Sequence, residues 1–118
     1  MKTIRITALK QVEHHDLMER LENTLEQPCT IQVGQTWICH DLLMPEGFCL
    51  SAWQTIYPFA MTLAYGGEDI YSGWMKNRKS VLLSCNDGFR PVSFYVEAIE
   101  EEKRRIDVTN WRKGNTNR

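Results

Sequence analysis

The sequence predicts an α+β fold: a single small domain of β-α-β-α-β-β order, with helices packed on a mainly antiparallel sheet and a C-terminal β-hairpin. Three observations predict it. Residues 2–12 and 91–99 alternate apolar and polar side chains, the pattern of a half-buried strand. The longest apolar segment, lying between them, follows helical period instead. An Asp87-Gly88 pair separates the last two strand-like runs, a strong hairpin signal. Helices interspersed with strands that close in a hairpin give an α+β layer, not a doubly wound parallel sheet.

The elements follow in order. Ile4, Ile6, Ala8 and Val12 fall on one face of the first strand, and Thr3, Arg5 and Thr7 on the other. In "HHDLMERLENTLEQ", Asp16 and Glu19 have the spacing of a capping box, with Asp in place of Ser or Thr. Leu17, Leu21 and Leu25 recur every four residues, which gives a short amphipathic helix that Pro28 ends. Residues 31–40 read as a strand in which Gly34 marks a turn or bulge. After the loop "DLLMPEG", Cys49, Ala52, Trp53, Ile56, Ala60, Leu63 and Ala64 share one helical face. Pro58 lies inside that run; it removes a backbone donor and clashes with the preceding turn, so a kink or two short helices is expected. Gly66 and Gly67 close the segment. "EDIYSGWMKNRK" is a polar loop with two aromatics, and "SVLLSC" suits a central strand. Pro91 puts the start of the last strand at an edge or just after a turn. Residues 1–99 thus form the domain. Residues 100–118 hold four acids and six bases and read as a charged, partly disordered extension, its "EEEKRR" a solvated helix face.

Composition bounds the function. The chain has 118 residues, 42% of them hydrophobic, enough for one core without staples. The net charge of -1 argues against a dedicated nucleic-acid binder, which carries a basic face. No run of 18 apolar residues is present, so no membrane span is expected. "MKTIRITALK" alternates and does not form an apolar export signal, so the cytoplasm is the expected compartment. There, four cysteines are thiols, metal ligands or redox groups before they are structural disulfides. A homo-oligomer through residues 67–74 or through the tail is compatible with the sequence.

"MPEGFC", "AW", "IYP", "TLAYGG", "WM" and "CNDGFRPVSF" together resemble a family of small, functionally uncharacterised bacterial and archaeal proteins. The likeness covers roughly residues 2–99 and takes in Cys29, Cys49, Trp53, Tyr57, Gly66, Gly67, Trp74, Cys85, Asp87, Gly88, Arg90 and Pro91. It implies no activity, substrate or cofactor; it marks positions. This chain departs from the family pattern at Thr30, where proline is frequent, and at Ser84, which replaces the first of a frequent cysteine pair. Its segment 67–74 is longer than usual, and its tail after Ile99 is extra.

Candidate chemistry centres on the thiols. Cys29, Cys39, Cys49 and Cys85 lie on different segments, so no zinc knuckle exists, but Cys29, Cys49 and Cys85 are candidate ligands of a metal assembled in three dimensions: zinc, iron or copper. His40 beside Cys39 is a further candidate ligand. Against this stands the ordinary role of cysteine as a small buried hydrophobe. Cys49 is the candidate nucleophile, because "PEGF" reads as a turn into a helix whose first-turn N–H groups favour a thiolate. The competing reading has Cys49 begin the apolar face it shares with Trp53 and Ile56. Arg90 after the Asp87-Gly88 turn either contacts an anionic ligand or locks the loop by pairing with Asp87 or Glu46. Trp53, Tyr57, Tyr71 and Trp74 either line a pocket or form a core stripe. The expected function is therefore a binding or accessory module with a cysteine and aromatic pocket, comprising Cys49, Trp53, Tyr57, Trp74, Asp87 and Arg90, for a metal or small anion. The alternatives are a thiol-dependent redox protein or enzyme using Cys49, with Cys29 or Cys85 as resolving partner, and a structural or interaction module with no small-molecule site. No triad, phosphate-binding loop, dinucleotide fingerprint or HExxH motif supports a standard enzyme class.

Overall fold

The computed structural model describes residues 1–23 and 29–100. They carry β1 (Thr3–Gln11), α1 (His15–Leu21), β2 (Thr36–Cys39), α2 (Leu50–Ala64), β3 (Ser80–Ser84) and β4 (Val92–Ile99). The strands form one antiparallel sheet in the order β2-β1-β4-β3. This is the expected α+β architecture.

Register carries the alternation of the sequence across the sheet. Ile4 and Ile6 stand opposite Cys39 and Trp37; Ile6 and Ala8 stand opposite Val96 and Phe94; these in turn face Val81 and Leu83. Side chains on one face of a sheet meet their cross-strand partners, so a single apolar surface results. Onto it α2 lays Ala52, Trp53, Ile56, Ala60, Leu63 and Ala64, all buried. Phe48 sits at the centre of an aromatic group, edge-on to Trp37 at 4.8 Å and to Trp53 at 6.3 Å, and 5.6 Å from Phe94. On the far face Arg5 lies directly opposite Glu97, and its Nε reaches Oε2 at 3.2 Å.

The structure departs from the sequence reading at several points. The β1–β4 register shifts between Ala8 and Lys10, so the alternation breaks there and Val12 lies beyond the strand, exposed. Only the last part of residues 31–40 is a strand. Gly34, at φ +97°, makes the turn before it, its N–H donating to the Ala8 carbonyl at 2.8 Å. β3 is an edge strand, because the longer β4 pairs with both β1 and β3 and takes the inner position. Leu82 is exposed because it points to the face opposite α2, whereas Val81 and Leu83 on the same strand are buried.

α2 is one uninterrupted helix despite Pro58. The carbonyl that Pro58 leaves without an intrahelical donor belongs to Gln54, an exposed residue, so water can serve it. α1 begins after His14, which makes no side-chain cap, and Asp16 lies inside its first turn, not at the capping position. None of its residues is buried. It is tethered by the His14 N–H, which donates to the Phe89 carbonyl at 2.9 Å, and by an ion pair from Glu22. Leu25, Pro28 and residues 101–118 of the tail lie outside the described residues. Among the described residues no helix is long and apolar enough to cross a membrane.

Candidate functional site: a cleft lined by three thiols

"MPEGFC" is a tight turn into α2. Gly47 supplies φ +75°, a conformation costly for any residue with a Cβ, and the Phe48 N–H donates to the Pro45 carbonyl at 3.1 Å. The turn drives Phe48 into the core and leaves the next residue, Cys49, at the N-cap of α2. Its backbone is extended, its thiol makes no capping bond, and the residue is exposed. Cys49 therefore does not begin the buried face of the helix. It sits one residue ahead of the first turn.

Cys85 follows β3, where the chain leaves the sheet toward the Asp87-Gly88 connection. Its N–H donates to the Val92 carbonyl at 2.9 Å, and its Sγ accepts the Val92 N–H at 3.2 Å. The connection is folded by Asp87, whose Oδ1 accepts the N–H groups of Phe89 at 2.8 Å and Arg90 at 3.1 Å. Residues 85–91 are thus a longer, side-chain-braced link than a two-residue hairpin turn. Two bonds bolt it to α2: the Ser51 hydroxyl donates to Asn86 Oδ1 at 2.6 Å, and Asn86 Nδ2 donates to the Ser51 carbonyl at 3.3 Å.

Between these segments opens a cleft of about 450 Å³ lined by Cys29, Thr30, Ile31, Cys49, Ser51, Ala52, Cys85, Asn86 and Asp87. Three thiols from distant parts of the chain share it. Cys29 and Cys49 are exposed, Cys85 is half-buried, and none is in a disulfide. Ile31 and Ala52 give the cleft an apolar wall, and among the described residues Asp87 contributes the only carboxylate of its lining. Among the described residues, no three His, Cys, Asp or Glu side chains are gathered closely enough to hold a metal ion as they stand.

The other candidates lie elsewhere. Trp53 is buried in the core, with Tyr57 against its edge at 5.5 Å. Trp74 is 78% exposed and stacks on Tyr71 at 5.1 Å. None of these aromatics lines the thiol cleft. Arg90 grips Glu22 with both arms of its guanidinium, Nη2 to Oε1 at 2.6 Å and Nη1 to Oε2 at 2.8 Å, both side chains largely buried. That hydrogen-bonded pairing with Glu22 raises the guanidinium pKa further. Arg90 is therefore a lock, as one reading of the sequence had it, but its partner is neither Asp87 nor Glu46. Cys39 is buried, its Sγ donating to the Leu43 carbonyl at 3.1 Å. Burial, and then the charge of Asp41, push its pKa up to about 11. His14, His15 and His40 are absent from the cleft lining, so no imidazole stands ready as a base there.

Sequence reasoning missed Ser51, Asn86 and Ile31 in the cleft and Glu22 as the partner of Arg90. Asn86 stood inside the "CNDG" motif and was legible in principle; the Glu22 pairing spans 68 positions and had no local signal. Comparison with family models, with curated proteins and with solved structures finds no match for this chain.

Proposed function

We propose that the chain is a small binding module, that its ligand seats in the Cys29–Cys49–Cys85 cleft, and that the ligand is a soft, thiol-seeking metal ion of the copper(I) class. The observation that carries this reading is the convergence of three thiols on one cleft. Cysteines kept only for packing would point separately into the core, as Cys39 does. Four of the positions that carry the family resemblance, Cys29, Cys49, Cys85 and Asp87, lie in this lining.

Of the two ligand classes the sequence left open, charge favours the metal over the small anion. Among the described residues the lining holds Asp87 and no cation, and Arg90 is engaged by Glu22, so a small anion meets little attraction there. Donor type then narrows the metal. Sulfur donors without imidazole favour a soft ion, and copper(I) is satisfied by few thiolates, whereas structural zinc takes four ligands. Metal–sulfur bonds near 2.3 Å require the sulfurs to lie within about 4 Å of one another. Binding thus draws the thiols inward. Cys29 lies outside helix and strand, and Cys49 stands at the very start of α2 with its side chain exposed.

The reduced protein, titrated anaerobically with copper(I) and observed by native mass spectrometry, should take up one ion. Cys49→Ser and Cys85→Ser should each lower affinity at least tenfold, and Cys39→Ser should leave it unchanged. Equal uptake by all four proteins, or none by the wild type, would contradict the assignment.

A further inference from the structure

We propose that the same cleft supports thiol–disulfide exchange with low-molecular-weight disulfides, with Cys49 as the attacking thiol and Cys85 as the resolving one. The inference rests on the thiols and the space around them, and it holds whether or not a metal binds there.

Access assigns the roles. A small disulfide needs an open approach to the attacking sulfur, and thiolate attack runs roughly in line with the S–S bond. Cys49 is exposed, stands ahead of the first turn of α2, and its thiol is not spent on a cap. Cys39, by contrast, is buried and its thiol donates to a carbonyl. The cleft, about 450 Å³, is large enough to admit a small organic disulfide beside Cys49.

Resolution needs a second sulfur held near the first. The Ser51–Asn86 bonds supply that restraint, because Ser51 is two residues from Cys49 and Asn86 adjoins Cys85. Holding two reacting groups together in this way replaces a bimolecular step by an intramolecular one. Cys85 is also the most protected of the three thiols, and its Sγ is held in place by the Val92 N–H that it accepts. Cys29 shares the cleft but has no such tie to α2 among the described bonds.

The step balances. The Cys49 thiolate attacks a disulfide RSSR; a Cys49 S–SR bond forms, the original S–S bond breaks, and RS⁻ leaves and takes the proton that Cys49 lost. The Cys85 thiolate then attacks Cys49 Sγ, and the Cys49–Cys85 disulfide forms as the second RSH departs. The protein dithiol loses two electrons and RSSR gains them.

The test uses the full chain, reduced, in the presence of chelator, with glutathione disulfide as the probe and intact-mass and peptide mapping as readouts. The wild type should show a transient single adduct that gives way to a Cys49–Cys85 link. Cys85→Ser should accumulate the adduct on Cys49, and Cys49→Ser should form none in the cleft. Asn86→Ala should slow the second step roughly tenfold while sparing the first. Peptide mapping of the wild type alone reads the link even where a variant folds poorly. An adduct that persists equally in the wild type, a first adduct on Cys29, or no adduct would each overturn the proposal. Copper(I) uptake measured on the same preparation separates this result from the binding assignment: exchange without uptake removes the metal, and uptake without exchange removes the redox step.

Discussion

Side chains that sit in similar sequence surroundings have separate fates here, and burial and hydrogen bonding decide between them. Cys39 and Cys49 both border apolar runs. Cys39 faces inward opposite Ile4 and becomes part of the core, whereas the Gly47 turn leaves Cys49 outside it. That difference has a pH consequence. Burial favours the neutral Cys39 thiol, so its folded-state pKa stands above the ordinary 9.0, at about 11. The neutral thiol's contribution to stability is whole below pH 9.0 and is lost as pH rises through about 11. Denaturant midpoints of the wild type should therefore fall across that window, and Cys39→Ala, less stable at neutral pH, should lose that part of the fall. An unchanged slope in Cys39→Ala would show that some other group titrates there. Arg90 shows the same logic without a pH window: its pKa is raised by Glu22, so it stays charged throughout any ordinary range.

At the scale of elements, the contrast lies between α2, which buries six side chains on the sheet, and α1, which buries none. A helix of seven residues without a packed face is marginal in water. The Arg90–Glu22 pair and the His14–Phe89 bond hold α1 against the β3–β4 connection. Arg90→Met should therefore raise hydrogen exchange of α1 amides by tenfold or more while those in the middle of α2 keep their protection. Equal loss of protection in both helices would mean that the pair supports the whole fold. The sequence showed α2 clearly, because its apolar positions repeat over four turns. It overstated the effect of Pro58, because the carbonyl that loses its donor belongs to an exposed residue, where water can serve it. It also placed β3 centrally, since "SVLLS" is apolar enough for that position; strand order depends on which neighbour β4 chooses, and no local pattern records the choice.

At the scale of the whole molecule, the described residues form a four-stranded sheet covered on one face by α2, with the thiol cleft at the end where α2 begins and β3 leaves the sheet. The fold class and the inward positions were legible because alternation and helical period are local properties. The site was legible in part. Cys29, Cys49, Cys85 and Asp87 were named from residue type and motif, and they share the cleft. The aromatic half of the expected pocket was not there, because Trp53 is drawn into the core and Trp74 is held on a separate loop. Side-chain type announces what chemistry is available; only the tertiary packing decides which of those groups meet.

The convergence of three thiols on one ligand is the central claim, and peptide-resolved alkylation of the folded, reduced protein with and without one equivalent of copper(I) tests it most directly. Cys29, Cys49 and Cys85 should react in the free protein and become protected together at one equivalent, while Cys39 stays slow in both. Protection of a single cysteine, or three unchanged rates, would contradict a shared site and leave the cleft as a surface feature between a turn and a helix.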